Sequence, residues 1–340
     1  MMPESVHAQA DFDECAEPGP IIERASSEMR WSPDGKWLAM ATDAIKDVEE
    51  GCYTDTKLEV YDGTTSQVIF AYPNDDIVIA GLAWSPDGSR LVTSDLAGIV
   101  QIWDTADWKF VGSYSISKWG LIEATWHPHQ KRLAVAGYDG IIYVLNPDNG
   151  QVIQQVSIGQ ENPTDGNIPI GYLEWSPDGT KVGVGRVDNS LLILDAINLE
   201  VIGTLLPSKN MNPLAVDGRW SPDSKLIAVQ YHNSYDAELW DVQTGKKLLT
   251  LTGHTSYLNG RAWSPSGKLI ATTSMDKTVR IWDVATGQQQ KVIAGPNDID
   301  QTLHIDWSID GKIAYGYSIK KGIEPPPIIP QIIVIPDSVK

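Results

Sequence analysis

Two cysteines, three phenylalanines and 26 basic residues against 44 acidic ones are the first scarcities of this 340-residue chain. With Cys15 and Cys52 alone, the thiols are too few and too poorly spaced for a zinc site. The formal charge of −18 comes without a basic cluster. That argues against nucleic acid and anionic lipid as partners, because phosphate binding depends on Lys and Arg displacing counterions. No apolar run approaches the ~20 residues a membrane-spanning helix needs, so no membrane insertion is expected. Helical periodicity of useful length is missing too. So are the Gly-x-Ser-x-Gly elbow, His-Glu-x-x-His, the phosphate loop and the Rossmann glycines. Asp11-Phe12-Asp13-Glu14 lacks the glycine and spacing of a calcium loop, and His127-Pro128-His129 reads as a turn, so neither metal nor cofactor is expected. The acidic surface favours neutral or basic partners and a monomer.

What the chain has is a repeat. Trp-Ser-Pro-Asp-Gly and its variants occur at Trp31, Trp84, Trp126, Trp175, Trp220, Trp263 and Trp307, at intervals of 53, 42, 49, 45, 43 and 44 residues. Such units are too short to fold alone and suit a four-stranded blade that stacks on its neighbours. A short apolar segment runs into each Trp. The Ser-Pro-Asp-Gly turn follows, with Pro presetting φ and Gly accepting positive φ, and then come strands such as Arg90–Ser94 and Ile99–Trp103. With 29 Gly and 21 Pro punctuating the chain at strand-sized intervals, a closed all-β array is the economical solution, since closure removes exposed sheet edges.

The third strands end in Ile102-Trp103-Asp104, Leu239-Trp240-Asp241 and Ile281-Trp282-Asp283, and Gly253-His254 precedes the sixth anchor. On these residues the chain resembles the WD-repeat (WD40-type) β-propeller family over residues 20–340, with 1–19 as an N-terminal tail. The resemblance implies an all-β, seven-bladed β-propeller of four-stranded antiparallel blades, and scaffolding as its use. It also implies a structural hydrogen-bond network from His254, Ser274, Asp276 and Trp282. Elsewhere Tyr61-Asp62, Leu145-Asn146, Leu194-Asp195 and Ile335-Pro336 replace Trp-Asp.

The repeats differ in one informative way. From anchor to third-strand residue the count is 19 in blades two, three, four and six and 20 in blade five, but 30 in blade one and 28 in blade seven. Both exceptional blades therefore carry insertions between their second and third strands, around residues 43–56 and 319–331, on either side of the ring's closing seam. The resemblance places these insertions on the face that also carries the blade-to-blade connections, and insertions on one face of a repeat array mark binding. Tyr53, Lys320, Lys321 and Ile323 in the insertions, with Trp119 in the connection before blade three, are the expected partner-binding residues; equally, the two insertions brace each other. The resemblance also puts an outer strand near Pro20–Arg24 into blade seven. That brings Cys15 towards Cys52, where a disulfide would close a loop of 37 residues. It would need an oxidising compartment. Ala8-Gln9-Ala10 before Asp11 has the form of a signal-peptidase site without the apolar core, which fits either chance or the remnant of an export signal and an extracytoplasmic location.

The residue before each anchor Trp runs Arg30, Ala83, Thr125, Glu174, Arg219, Ala262, Asp306 around the ring. Inter-blade ion pairs are expected between Glu174 and Arg219 and between Asp306 and Arg30. Two positions further back, Glu28, Glu123, Asp217 and His304 converge on the axis. Two functions follow: a non-catalytic platform for a protein or peptide, with no catalytic residues, or a small-ligand or catalytic propeller using the channel carboxylates.

Overall fold

The computed structural model describes residues 28–47, 52–75, 78–158, 170–186, 188–206, 216–232, 234–295, 299–319 and 330–335. Blade one comprises β1 Met29–Trp31, β2 Trp37–Asp47, β3 Cys52–Asp62 and β4 Val68–Asp75, and blade two β5 Ile79–Trp84, β6 Arg90–Asp95, β7 Ile99–Asp104 and β8 Lys109–Ser115. Blade three holds β9 Leu121–Trp126, β10 Leu133–Gly137, β11 Ile141–Leu145 and β12 Val152–Ser157; blade four holds β13 Ile170–Trp175, β14 Lys181–Arg186, β15 Leu191–Asp195 and β16 Val201–Leu205. Blade five runs β17 Val216–Trp220, β18 Leu226–Tyr231, β19 Ala237–Asp241 and β20 Lys246–Leu251, and blade six β21 Leu258–Trp263, β22 Leu269–Ser274, β23 Thr278–Asp283 and β24 Gln289–Ala294. Blade seven has β25 Ile299–Trp307, β26 Lys312–Ile319 and β27 Gln331–Val334. Every sheet is an antiparallel meander in chain order; six have four strands and the seventh shows three among the described residues. The outer strand expected at residues 20–24 lies outside them.

Each Trp-Ser-Pro-Asp-Gly turn is closed by its own side chains. Ser32 Oγ donates to Asp34 Oδ1 (2.6 Å) and accepts from Trp37 N (2.9 Å), while Gly35 sits at φ 70°. Ser85 and Asp87 repeat the arrangement, and the hydrogen bond from Ser85, with those from Ser89, holds the Asp87 carboxyl down at about 2. In blade three His127 takes the serine's part, its Nδ1 accepting from His129 N and Gln130 N, both at 3.1 Å.

The core is not one mass but seven slabs, one between each pair of adjacent blades, around the ring from Leu58 against Leu82 to Met40 against Ala314. A lone blade would leave both faces wet, so burial depends on closure.

The insertion in blade one is not the loop expected over residues 43–56. The β2–β3 ladder continues through Asp43↔Thr56, Ala44↔Asp55 and Ile45↔Tyr53 to Asp47↔Cys52, because inter-strand hydrogen bonds satisfy the added backbone where an open loop would need water. Strands of 11 residues thus stand where blades two to six have 5 or 6.

Candidate functional site

The innermost strand of each blade is a sheet edge facing the axis, so its outward backbone groups must find partners beyond the ladder. The position before the anchor Trp supplies them. Thr125 Oγ1 accepts from Trp175 N (3.4 Å), Glu174 Oε2 from Trp220 N (3.1 Å) and Asp306 Oδ2 from Trp31 N (2.8 Å). In the same direction the indole N–H groups of Trp84, Trp220 and Trp263 donate to the carbonyls of Arg30, Glu174 and Arg219 at 3.0, 3.1 and 2.9 Å. Each of these bonds ties one blade to the next.

Arg219 reaches in two directions, Nη1 lying 3.3 Å from Glu174 Oε1 and Nη2 3.1 Å from Asp306 Oδ1. Asp306 belongs to the blade after next, and the guanidinium spans the gap because the intervening position is Ala262. The pair expected between Asp306 and Arg30 does not form. Asp306 is occupied by Arg219 and the Trp31 amide, while Arg30 turns along its own strand, 2.9 Å from Glu28 Oε2 and donating to Met29 O at 3.0 Å. Residues two apart on a strand share a face, so Glu28 is the nearer carboxylate. Such partly buried pairs fix register more than they add stability, because desolvation offsets much of their attraction.

Behind this layer the channel opens into a cavity of about 330 Å³, lined by Glu28, Glu123, Asp217, Arg261 and His304 and reaching the prolines of the turns at Pro33, Pro86, Pro128 and Pro177. Arg261 pairs with Asp217 and donates to Gln230 Oε1 (3.0 Å) and Gly218 O (2.8 Å). The Tyr172 hydroxyl donates to Glu174 Oε2 at 2.9 Å, and burial, then the Glu174 charge, raises its pKa well above the usual phenol range. Burial, followed by the charges of Glu28 and Asp217, holds Glu123 well above the ordinary carboxylate range, against the opposing pull of Arg30 and Arg219.

The network of blade six is present with one substitution. His254 Nδ1 lies 2.8 Å from Asp276 Oδ2 and Nε2 2.8 Å from Thr272 Oγ1, which also accepts from Trp282 Nε1 at 2.8 Å. The strand hydroxyl in this relay is therefore Thr272, not the expected Ser274. Ser274 bonds instead to Ser256 O (3.1 Å) and accepts from Asp276 N (3.0 Å). The two residues share a face of β22, and Thr272 is the one level with His254 and the Trp282 indole. Burial lowers the His254 pKa below the usual imidazole value, Asp276 opposing it. A neutral ring fits the bonds as assigned: Nδ1–H donates to the carboxylate and Nε2 accepts from the Thr272 hydroxyl.

On the opposite face from the Trp-Ser-Pro-Asp-Gly turns lie the turns between second and third strands and the connections between blades, a consequence of the antiparallel meander. They are bonded together: Ile116 N donates to Gly98 O (2.9 Å) and Met275 N to Tyr257 O (2.9 Å). Trp119, 37% exposed, sits here beside Lys118, whose Nζ is 5.5 Å from the ring centroid. Sequence reasoning missed Tyr235 and Tyr257, which meet edge to face at 5.1 Å yet remain 45% and 37% exposed. Met275 and Leu96 are exposed on the same face. The available signal was two tyrosines falling outside the positions that the repeat spacing fills. Tyr53 lies on β3 at the end of the extended hairpin, its side chain outside what is described. Lys320, Lys321, Ile323 and Cys15 fall outside the described residues, as does the side chain of Cys52, and with them the proposed disulfide.

Seven radially stacked antiparallel sheets around a channel define a β-propeller. The WD domain, G-beta repeat family matches residues 65–104 and 245–283. An uncharacterized WD repeat-containing protein of Synechocystis is 31% identical over 165 residues, 47% of this chain and 44% of that protein. A guanine nucleotide-binding protein subunit beta of Oryza sativa is 22% identical over 299 residues, 78% of this chain and 75% of its own. THO complex subunit 3 of Arabidopsis thaliana is 26% identical over 212 residues, 61% and 63%. The chain thus spans less than half the length of the cyanobacterial relative and three quarters of the rice one. Its matched repeats are those of WD40 β-propellers, and its seven-bladed fold is the one such repeats build.

Proposed function

We propose that this propeller is a non-catalytic platform for a protein or peptide partner, bound on the face that carries the blade-one and blade-seven insertions. The observation that carries this reading is chemical asymmetry between the two faces of the ring. The loop face gathers Trp119, Tyr235, Tyr257, Met275 and Leu96, large side chains left exposed at considerable hydrophobic cost, and lengthens one blade by a paired hairpin. The turn face exposes Ile197 and Ile309 but no Trp, Tyr or Phe among the described residues, and repeats a polar Ser-Asp motif closed upon itself. Two of the relatives are named as subunits of larger assemblies, which accords with a binding role. In this reading Trp119 and the tyrosine pair are the aromatic anchors, and Tyr53, Lys320, Lys321 and Ile323, expected from the sequence, are further candidates for contact.

The test is partner capture by the intact protein beside a variant whose insertions, residues 44–56 and 320–330, are shortened to the length in blades two to six. Loss of partners with an unchanged thermal melt is the expected result; undiminished capture contradicts the assignment of the face.

A further inference from the structure

We infer that the axial cavity is a binding site for a small organic cation, an ammonium or guanidinium group on a short apolar stem, with Glu123 as its counter-charge. Charge pairing singles this residue out. Four carboxylates of the channel have an arginine each or share one: Glu28 with Arg30, Glu174 and Asp306 with Arg219, Asp217 with Arg261. Glu123 has no hydrogen bond or ion pair among the described residues, and it lines the cavity. A half-buried carboxyl without a direct partner carries a desolvation cost, which an incoming cation offsets.

The cavity suits such a guest in size and lining. At about 330 Å³ it lies at the small end of ligand pockets. Its walls include the indoles of Trp31, Trp84, Trp126 and Trp175, with Leu82, Ala83 and Leu173 around them. Aromatic faces attract cations and aliphatic side chains take a stem. An anion is disfavoured because Glu28, Glu123 and Asp217 already repel one another across the same space.

The proton at Glu123 gives the site a pH signature. Burial, Glu28 and Asp217 raise its pKa, while Arg30 and Arg219 oppose the rise and His304 lines the same cavity. A cation prefers the ionised carboxylate, so binding releases a proton and tightens as pH rises through the raised pKa.

The same chemistry is offered by a free amine and by a basic side chain of a partner. Isothermal titration with n-butylammonium and n-butylguanidinium, with butyramide as the neutral control, tests the first source; a short peptide with a central arginine against its citrulline counterpart tests the second. The expected result is binding of a cation in either arm, none of the neutral counterpart, and a loss of about tenfold or more in Glu123→Gln, the size of one charge-assisted hydrogen bond. Affinity should climb as pH rises above the ordinary carboxylate range in the native protein and stay level in the variant. Ala83→Leu, which fills the cavity from an uncharged wall, should abolish binding with the melt retained. Cations that bind no better than their neutral counterparts, or equally well to Glu123→Gln, overturn the inference. Neither result bears on partner capture at the loop face.

Discussion

Blades six and seven are neighbours that hold their third strands in place by different means. Blade six has the full buried relay from the Trp282 indole through Thr272 and His254 to Asp276, with Trp282 1% exposed. Blade seven has Ile335 at the corresponding place and meets blade one through bonds at the turn face: Asp306 to the Trp31 amide, and Lys312 Nζ to Gly35 O at 3.3 Å. Its apolar slab against blade one is also the smallest of the seven among the described residues, with Ala314 and Ile332 as blade seven's share. The relay therefore reinforces a blade but does not define one. Stacking of two apolar faces is enough where a side chain of one blade, here Asp306, satisfies the inner backbone edge of the blade that follows it.

Emptying the better-packed side should cost most. Trp282→Ala is expected to lose about 3–5 kcal/mol and Ile335→Ala about 2–4, measured as shifts in urea unfolding. Equal costs would mean that the relay adds nothing beyond packing. Next is the choice of hydroxyl: Thr272→Val removes the partner of two buried groups and should cost about 1–3 kcal/mol, more than Ser274→Ala. The reverse order would place the relay on Ser274.

Smaller, but readable through pH, is the contrast between two turn carboxylates. Asp276 is partly buried, yet bonds from Thr278, His254 and Thr255 outweigh that burial and lower its pKa. Asp95 in blade two has the amides of Ile99 and Ala97 alone, and burial pushes it up to about 6. A raised carboxyl contributes stability that is fully present below the ordinary value near 3.8 and lost as pH rises through 6. Asp95→Asn, whose amide oxygen can still accept both amides, should therefore flatten the melting temperature between about pH 4 and pH 7. Asp276→Asn should act at the acid end, since the native protein's gain there is present above the ordinary value and disappears as pH falls through the lowered one. An unchanged slope in Asp95→Asn would show that another group carries it.

The ring itself was legible in the sequence because its punctuation is local: a Trp, a Ser-Pro-Asp-Gly turn and a third strand 19 or 20 residues on need no tertiary information. Partner choice in the channel was not. An arginine side chain can span two blades, and whether Arg219 does so depends on the small Ala262 between, a matter of three-dimensional gap and not of order along the chain. The Thr272 and Ser274 ambiguity has a similar origin, since strand alternation gives both the same face; the bulge between Leu258 and Gly260 in the neighbouring strand shifts the register beside them. The hairpin of blade one read as a loop because its length was visible but its pairing was not. The exposed Tyr235 and Tyr257 belong to consecutive blades and become a pair only when blade six stacks on blade five.

The functional reading turns on partners meeting the loop face. A photo-cross-linking residue placed at Trp119 or Tyr235 on that face, and separately at Ile309 on the turn face or Phe110 on an outer strand, reports where contact is made. Partner adducts are expected from Trp119 and Tyr235 and none from Ile309 or Phe110; adducts confined to Ile309 or Phe110 would contradict that reading.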